Sequence, residues 1–540
     1  MAVDKNGWLS VRRKRLAALL AIVVLIGLPI RVYLAARAAM ISRDAAVFIW
    51  YAQGLANDPV AEMREQAQHP LYPAMVLAAH GVIDVFSAAV PGLFSDPVVS
   101  WQLSALAVTF AGGLVVIVAV YVLAAILFDR RVALIAAALA AAAAEFCQLS
   151  ADGLTDMPHL SLYLLGLAAG IRGIDTRRQR WLFVAGLLSG LAYLIRPEGA
   201  EVAVATVGAA LLARRWRARD RIVGVIAVCL AAAVVASPYM LVTGKLVQKK
   251  AIGRFLRSAK APGTPVRALE GELATSDMVS DARPCAIAPY RAGVEGGIVD
   301  LARAGGRILE NWARSLRVTF LLPAVLWLIR RRDLPAAPNG WRLVAAAAAL
   351  HLWILIALII RWDYWALFSL RHVMILAALT LPFSAAGVSV LLGAVTGRWR
   401  WGVAAILTVV MVAPTLPWLL ETRHTDEAHL RRAGEWIRAH SDGPARVLTT
   451  RHRVAFYANG LHLRSPLEAN VEVILAEVRA RRPDYVVFDE RRMLRASASF
   501  FDDLQRAIRP GESLKQVHLE AAHGTRGCER AIVYRYAGPP

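Results

Sequence analysis

Long apolar runs separated by short polar or basic stretches recur along the first 420 residues of the chain. An α-helix needs roughly 20 consecutive apolar residues to cross a bilayer, and most of these runs reach or approach that length. The pattern predicts roughly eleven spans, at about residues 16–36, 100–126, 132–148, 158–171, 181–196, 198–213, 222–243, 315–329, 341–361, 369–395 and 402–420. We therefore expect a polytopic α-helical membrane protein.

Clusters of Arg and Lys set the predicted orientation, because cytoplasmic loops carry an excess of both residues. The clusters lie at residues 12–15, 130–131, 172–180, 214–221, 330–332 and 398–400. If all of them face the cytoplasm, the spans pair as hairpins, with the amino terminus inside and the carboxyl terminus outside. The apolar run 71–90 is broken by His80 and Asp84, and a crossing there would reverse every later loop. We expect this run to lie at the outer face or to dip into it.

The composition agrees with a membrane protein and changes one expectation. The chain is 57% hydrophobic and 19% charged, with a mean hydropathy of +0.48. Its net charge of +22 reflects basic loops facing an anionic leaflet in a chain of this kind, rather than binding to nucleic acid. The first apolar run is too long for a signal peptide and lacks a cleavage-like site, so we expect an uncleaved span.

From residue 421 onward the pattern changes to short alternating elements. Helical patterns occupy residues 430–440 and 471–480, and strand patterns occupy residues 446–450 and 484–489. This alternation predicts a small extracytoplasmic α/β domain over residues 421–540. The transmembrane domain would then cover residues 1–420, with outer loops at 37–99 and 244–314.

Asp44 directly follows the first apolar run and is the first candidate for chemistry. A carboxylate beside a bilayer is costly unless it is solvated or paired, so an acid at this position indicates a function. Alternatively, Asp44 caps the short helix that the pattern predicts after it, a role that Asp fills well. Local chemistry alone leaves both interpretations open.

The predicted topology gathers further ionisable residues on the same outer face: His69, Asp152, Asp156, Arg196, Glu198, Lys245, Arg371 and His372. Charged residues placed for structural reasons alone would not gather on one face of the membrane. We therefore expect a functional site at the outer face. The basic stretch from Lys245 to Lys260 indicates an anion site for a lipid phosphate, or else an interfacial helix resting on acidic headgroups. Arg196 and Arg371 lie at span ends, where snorkelling is the alternative.

In the order of these features along the sequence, the chain resembles the GT-C superfamily of polyprenyl-phosphate-sugar-dependent glycosyltransferases. The nearest groups are the protein O-mannosyltransferases and the lipid A aminoarabinose transferases. The resemblance covers residues 16 to 400 approximately, and it rests on Asp44, on His69-Pro70-Leu71-Tyr72-Pro73, on the acidic stretch 152–156, on Leu194 to Gly199 and on Ser369 to His372. It implies a GT-C-like fold and an inverting hexosyl- or pentosyltransferase in the cytoplasmic (inner) membrane.

The resemblance also implies roles for these residues. The first-loop acid of the family is a catalytic base or positions the acceptor, and Asp44 is the matching position. Because the leaving group is an anionic lipid phosphate, cations must stabilise it, and the candidates are Arg196, Lys245, Arg371 and His372. His69 and Tyr72 would shape the acceptor side, and Asp152, Asp156 and Glu198 would hold acceptor groups or a divalent metal.

The chain departs from the family pattern at two positions. Ala45 and Ala46 follow Asp44 where the family often has an acidic pair, which argues against metal coordination at this loop. The motif at His69 has one proline fewer than the usual form. The resemblance leaves one cofactor open, a divalent metal. The expected partners are the lipid-phosphate sugar donor, a glycan, lipid or protein acceptor, and the bilayer, without nucleic acid.

Two other classes of function stay open at this point. A transporter or flippase of a lipid-linked or anionic solute would place ionisable residues near the bilayer midplane and broken helices in both halves. The spans are mostly Ala, Leu and Val, with acids at their ends, and offer few such residues. A non-catalytic assembly factor whose outer domain binds a partner is the third class. The sequence reveals neither the sugar nor the acceptor.

Overall fold

Helices dominate the chain up to residue 420, and a mixed α/β unit follows. The structure, a computed structural model, describes residues 5–537 except 91, 93, 214–215, 247–297, 333–335, 363–367, 396, 398, 467–469, 509–512 and 525–526. The predicted fold class, a polytopic helical protein with a small C-terminal α/β unit, is confirmed.

The helices of the first part, in chain order, are α1 (Lys5–Arg37), α2 (Arg43–Asn57), α3 (Pro59–Glu65), α4 (Leu71–Ala89), α5 (Pro97–Leu127), α6 (Arg130–Ala142), α7 (Ala144–Ser150), α8 (Asp156–Thr176), α9 (Gln179–Tyr193), α10 (Ala200–Leu211), α11 (Ala218–Thr243), α12 (Ile298–Ser315), α13 (Leu321–Ile329), α14 (Pro338–Trp362), α15 (Met374–Gly393), α16 (Trp399–Val412) and α17 (Leu416–Leu420). Short 3₁₀ turns at Pro197–Gly199, Leu370–Val373 and Ala413–Thr415 precede α10, α15 and α17.

Within the described residues, seven helical segments are long and apolar enough to cross a membrane: Ala17–Arg37, Leu71–Ala89, Pro97–Leu127, Ala218–Thr243, Pro338–Ile360, Leu370–Gly393 and Gly402–Ala439. The pair α6 and α7, bent by 60°, meets the same criteria together and makes an eighth. The other predicted spans correspond to α8, α9, α10 and α13.

One segment differs from its expected character. The run 71–90, expected at the outer face, forms α4, and its length and hydropathy are those of a span. His80 and Asp84, which break the apolar run in sequence, lie one turn apart with 3.6 Å between Nε2 and Oδ2. Each polar side chain therefore has a partner on its own helix, which lowers the cost of placing both beside apolar surroundings.

Small residues let the helices of the bundle approach one another closely. A Cβ atom at Gly112 of α5 would lie 2.6 Å from the backbone nitrogen of Pro158, at the start of α8. A Cβ atom at Gly387 of α15 would clash with the carbonyl oxygen of Pro323 in α13. Such contacts replace the hydrophobic driving force that lipid does not supply between helices.

The C-terminal unit is built on a five-stranded mixed sheet. Its strands are β1 (Arg446–Thr449), β2 (Leu461–Arg464), β3 (Tyr485–Asp489), β4 (Ser513–Gly524) and β5 (Gly527–Ala537), in the order β2-β1-β3-β5-β4. β1 is parallel to β2 and β3, and β5 is antiparallel to β3 and β4. The helices are α18 (Ala428–Ala439), α19 (His452–Tyr457), α20 (Val471–Arg481), α21 (Glu490–Ala496) and α22 (Phe500–Ala507), with a 3₁₀ turn at Thr425–Glu427 before α18.

The C-terminal unit docks on the segment that begins α2. The backbone N–H of Ile41 donates to the Tyr457 hydroxyl (2.8 Å), and Nε2 of His452 donates to the carbonyl oxygen of Arg43 (2.8 Å). Apolar residues of α2, α4, α18 and α19 share one buried core. The unit thereby fixes the backbone on both sides of Ser42, immediately before Asp44.

Candidate active site

Asp44 lies in the first turn of α2, and Ser42 caps that helix. The Ser42 hydroxyl accepts from the N–H of Ala45 (3.4 Å) and donates to the backbone oxygen of Asp152 (2.9 Å). The capping role that the sequence left open for Asp44 therefore belongs to Ser42. The Asp44 carboxylate instead contacts Arg371, with 2.9 Å between Oδ2 and Nη1.

Arg371 comes from the 3₁₀ turn that leads into α15, and it joins two acids. Besides Asp44, its guanidinium contacts the Asp156 carboxylate, with Nη2 at 2.8 Å and Nε at 3.1 Å from Oδ2. Ser369 caps the turn, and its N–H donates to Nδ1 of His372 (3.1 Å). Because the cap fixes the turn, Arg371 can approach both carboxylates at once.

Arg196 extends this arrangement on the other side of Asp156. Its Nη1 lies 2.6 Å from Oδ1 of Asp156, and its Nη2 lies 3.6 Å from Oε1 of Glu198. Asp44, Arg371, Asp156, Arg196 and Glu198 form a series of alternating charges, which we call the ion-pair chain. The side chain of Asp156 is 3% exposed and that of Asp44 is 32% exposed, so the chain runs from a buried centre to an accessible end.

Most of the ion-pair chain lines a recess of about 420 Å³, a volume that includes space open to solvent. The members that line it are Asp156, Arg196, Glu198 and Arg371. The remaining lining combines three histidines with apolar side chains, namely His159, Leu160, His351, Ile354, Leu355, Leu358, His372, Met374 and Ile375. The lining of the recess is therefore partly charged and partly hydrocarbon.

The environment of Asp44 keeps its carboxyl group ionised. Burial acts to raise the pKa of Asp44, but the Arg371 guanidinium, and less strongly Arg43, hold the pKa below its ordinary value of 3.8. Asp44 is charged at neutral pH and can accept a hydrogen bond. The proton affinity of Asp44 is low because the guanidinium of Arg371 is in contact with it.

A buried polar network that we did not predict supports the recess from within the bundle. Glu201 accepts from the Tyr163 hydroxyl (3.0 Å) and lies 3.0 Å from Nδ1 of His351. Nε2 of His351 lies 3.0 Å from the carbonyl oxygen of His372, which can only accept, so Nε2 carries a proton. The network holds the backbone next to Arg371. Ionisable residues inside the apolar runs 198–213 and 341–361 were the signal for it.

Asp152 belongs to a different cluster. Its carboxylate lies 2.6 Å from Nη1 of Arg423 and 3.8 Å from Nε2 of His424. Burial acts to raise the pKa of Asp152, but Arg423 and His424 lower it below its ordinary value. The structure thus separates Asp152 from Asp156, although the sequence places the two acids four residues apart.

The other predicted site residues are His69, Tyr72 and Lys245. His69 is buried, with its ring centroid 4.9 Å from that of Tyr193 and 5.1 Å from that of Tyr239. Tyr72 is buried against the ring of Phe48 (5.0 Å). Lys245 is exposed just beyond α11. The basic residues that follow it, from Lys249 to Lys260, lie outside the described residues.

The acids do not form a metal site in the described part of the chain. No group of three or more His, Cys, Asp and Glu is arranged there to hold a metal ion. Asp156 already binds two guanidinium groups through its two oxygens, and Asp44 shares one of them. A divalent cation would need these same oxygens as ligands, so this donor set does not fit one.

The chain is similar to known proteins both in sequence and in fold. Residues 93–241 match the family described as Dolichyl-phosphate-mannose-protein mannosyltransferase. The fold is similar to that of the archaeal oligosaccharyltransferase AglB from Archaeoglobus fulgidus in complex with an inhibitory peptide and a dolichol-phosphate. The TM-score is 0.56 at 14% identity, over 98% of this chain and 74% of that chain.

Two further solved structures are similar to the chain. The apo form of the Archaeoglobus fulgidus oligosaccharyltransferase gives a TM-score of 0.56 at 13% identity, over 97% of this chain and 74% of that chain. ArnT from Cupriavidus metallidurans bound to undecaprenyl phosphate gives 0.49 at 13% identity, over 98% of both chains. No curated protein matches the chain in sequence. The predicted resemblance is confirmed, and in fold it extends beyond residue 400 into the C-terminal unit.

Proposed function

We propose that this chain, which has the fold of the GT-C glycosyltransferases, transfers a hexose or pentose from a polyprenyl-phosphate donor to an acceptor hydroxyl. One observation carries the proposal: Arg371 joins an accessible carboxylate, Asp44, to a buried one, Asp156, at a recess that is partly charged and partly apolar. The dolichol-phosphate in the AglB complex supports the donor class.

The recess fits the head of such a donor. The phosphate would contact the guanidinium groups of Arg371 and Arg196, which Asp156 already holds in place through its two oxygens. The first isoprene carbons would lie against Leu355 and Leu358, which belong to the apolar part of the lining. Groups fixed before the substrate arrives need no reorganisation as negative charge develops on the leaving phosphate.

Further contacts to the phosphate are proposed at the edge of the recess. His372 lines the recess, its Nδ1 accepts from the N–H of Ser369, and we assign its ring a contact to the phosphate. Lys245, exposed beyond α11, stays a proposed outer contact of the same phosphate.

The reaction follows from these positions. The acceptor oxygen attacks C1 of the sugar, and the bond from C1 to the phosphate oxygen breaks, so that the configuration at C1 inverts. The polyprenyl phosphate leaves with the bonding electron pair, and Arg371 and Arg196 stabilise its charge. Asp44 takes the proton of the acceptor hydroxyl. As the phosphate gains charge it offsets the field of Arg371 at Asp44, which raises the proton affinity of that carboxylate as the proton arrives.

For the acceptor side of the site we propose fewer residues than the sequence suggested. Glu198 lines the recess at the far end of the ion-pair chain, which supports a contact to acceptor hydroxyl groups. Asp156 is better explained as the acid that holds the two guanidiniums. His69, Tyr72 and Asp152 would act indirectly, by supporting the backbone around α2 and α4.

The proposed location is the cytoplasmic membrane, with Asp44 and the C-terminal unit outside and the amino terminus inside. A membrane-impermeant maleimide should label Asp442→Cys in intact cells, in a background without native cysteines. It should label Arg331→Cys only after permeabilisation. Both native residues are exposed in the structure. The opposite labelling pattern would place the site in the cytosol and remove the donor assignment.

The test of the catalytic role is Asp44→Asn in the purified full-length protein, supplied with a radiolabelled polyprenyl-phosphate sugar and cell-envelope acceptors. We expect transfer to fall at least about a hundredfold, because the amide cannot accept the proton. Asp58→Asn is the matched control, since Asp58 caps α3 and Asn caps helices equally well. Full activity of Asp44→Asn would remove the base assignment. A transporter would give no product in detergent at all.

A further inference from the structure

A second recess lies where the C-terminal unit meets the start of α2. It has about 220 Å³ of empty space, and its lining residues are Arg43, Thr450, Arg451, His452, Arg453 and Arg492. We propose that this recess binds a phosphate group carried by the acceptor, and thereby brings the acceptor hydroxyl to Asp44. The inference rests on the proposed function and names the chemical class of its acceptor.

The charged side chains that line this recess are all positive. Its described lining contributes four guanidinium groups and no carboxylate. Two acids outside the lining hold two of these groups: Nη2 of Arg451 lies 2.6 Å from Oδ2 of Asp489, and Nη2 of Arg453 lies 2.5 Å from Oε2 of Glu427. Positive charges gathered around a cavity favour an anionic occupant, and several arginines together suit the many acceptor oxygens of a phosphate.

The cations are held in place before any ligand binds. Arg453 is 2% exposed, and its Nη1 also donates to the carbonyl oxygen of Ile41 (3.3 Å). Arg451 contacts Asp489 through Nε (2.9 Å) as well as Nη2. Fixed guanidinium groups lose little conformational entropy on binding, so the site is preorganised for an oxyanion.

His452 contributes a neutral wall rather than a fifth charge. Burial lowers the pKa of His452 to about 3, and its Nε2 donates to the backbone oxygen of Arg43. Its ring lies 5.9 Å from that of Trp50 of α2. Aromatic packing therefore holds the two sides of the recess together, while the arginines supply its charge.

Two neighbouring residues of the chain join this recess to the site of transfer. Arg43 lines the second recess, and the next residue, Asp44, contacts Arg371 on the ion-pair chain. The charge of Arg43 acts on the carboxyl group of Asp44, so an acceptor anchored by its phosphate at Arg43 would present a nearby hydroxyl to Asp44. The anion would also offset the field by which Arg43 lowers the pKa of Asp44, which would make the base stronger when the acceptor is bound.

Arg492 is the best position for a test. It lines the recess, it is partly exposed, and in the described part of the chain its side chain makes no ion pair. Replacing it with Gln removes a charge without leaving a buried carboxylate alone. Arg506→Gln is the matched control, because Arg506 is in the same unit and its side chain is 74% exposed.

The experiment measures binding of inorganic phosphate to the full-length protein in nanodiscs of neutral lipid. Hydrogen–deuterium exchange reports which segments the phosphate protects. We expect saturable protection of residues 450–453, with affinity about tenfold weaker in Arg492→Gln and in Arg43→Gln. Arg506→Gln should bind as the wild type does. Unchanged protection in both recess variants would overturn the proposal.

Nanodiscs containing anionic lipid separate two sources of phosphate. If the recess serves a phosphate on the acceptor, inorganic phosphate should protect residues 450–453 equally in neutral and anionic nanodiscs. If anionic lipid alone protects this segment and excludes inorganic phosphate, a headgroup fills the recess and the acceptor assignment is wrong. Neither measurement involves sugar transfer, so their outcome is separate from that of the Asp44→Asn assay.

Discussion

At the scale of single residues, Arg371 is the group on which the site depends. It contacts Asp44 with one terminal nitrogen and Asp156 with the other, so it transmits a change at the buried acid to the accessible one. A planar guanidinium presents donors to both carboxylates in one fixed geometry, whereas an ammonium group is a compact point charge on a flexible stem. Arg371 is therefore both the proposed phosphate ligand and the group that sets the proton affinity of Asp44.

The lowered pKa of Asp44 predicts a pH dependence of stability. An acid whose pKa is lower in the folded protein stabilises it fully above its unfolded pKa, and that contribution is lost as the pH falls through the folded value. The difference in melting temperature between wild type and Asp44→Asn should stay constant from about pH 7 to about pH 5 and shrink below about pH 4. A difference that already disappears near neutral pH would contradict the assigned ion pair.

The sequence could predict which residues gather at the site but not how they pair. The one-sided topology brought Asp44, Asp156, Arg196 and Arg371 to one face, and the structure joins them directly. It could not show that Asp152 pairs with Arg423 instead, because that partner comes from 271 positions along the chain at the start of the C-terminal unit. Such partnerships depend on packing, which periodicity does not encode.

At the scale of elements, α15 determines where the key cation lies, since the turn that bears Arg371 leads directly into it. α15 packs so closely on α13 that the Cα of Gly387 leaves no room for a side chain beside Pro323. The position of Arg371 therefore depends on a helix contact some four turns away.

Substitutions along α15 test this contact. Gly387→Ala should lower stability by about 2 kcal/mol or more, because the new Cβ would force α15 and α13 apart. Gly393→Ala, in the same helix, meets no heavy atom within 4 Å and should leave the melting temperature unchanged. Thermal unfolding in detergent measures both variants. Equal melting temperatures would show that the contact does not constrain the helix.

Element prediction succeeded where one physical signal dominated. Apolar runs gave the bundle helices, and alternating short patterns gave α18, α20, β1 and β3 of the C-terminal unit. The β4–β5 hairpin was not predicted, and its register shifts between Gln516 and His518 explain why: a bulge interrupts the alternation of apolar and polar positions. Strand β2 has only four residues, and half of them are charged or His, so it carried no apolar pattern.

At the scale of the whole molecule, the C-terminal unit completes the site although it contributes no residue to the ion-pair chain. It fixes the backbone of Ile41 and Arg43 through hydrogen bonds from α19, and Arg438 of α18 pairs with Asp96 at the start of α5 (2.8 Å). The family resemblance in sequence ended near residue 400, so this docking could not be predicted from it. A separate domain boundary at residue 421 stays a prediction.

The hydroxyl of Tyr457 offers a mild way to loosen the docking. Tyr457→Phe removes the bond to the N–H of Ile41, which should cost about 1 kcal/mol. We expect faster hydrogen exchange at residues 41–44 and several-fold slower transfer. Tyr485→Phe removes a similar bond, to the carbonyl oxygen of His440 inside the C-terminal unit. If both variants behave alike, the docking bond has no special role in positioning Asp44.

The central claim is that Asp44 and Arg371 act as one unit in sugar transfer. A double-mutant cycle tests it most directly, by comparing the transfer rates of Asp44→Asn, Arg371→Gln and the double variant with that of the wild type. We predict that each single variant loses most of the activity and that the double variant is no slower than the slower single one. Losses that multiply in the double variant would contradict the claim, because they would show that the two residues act independently.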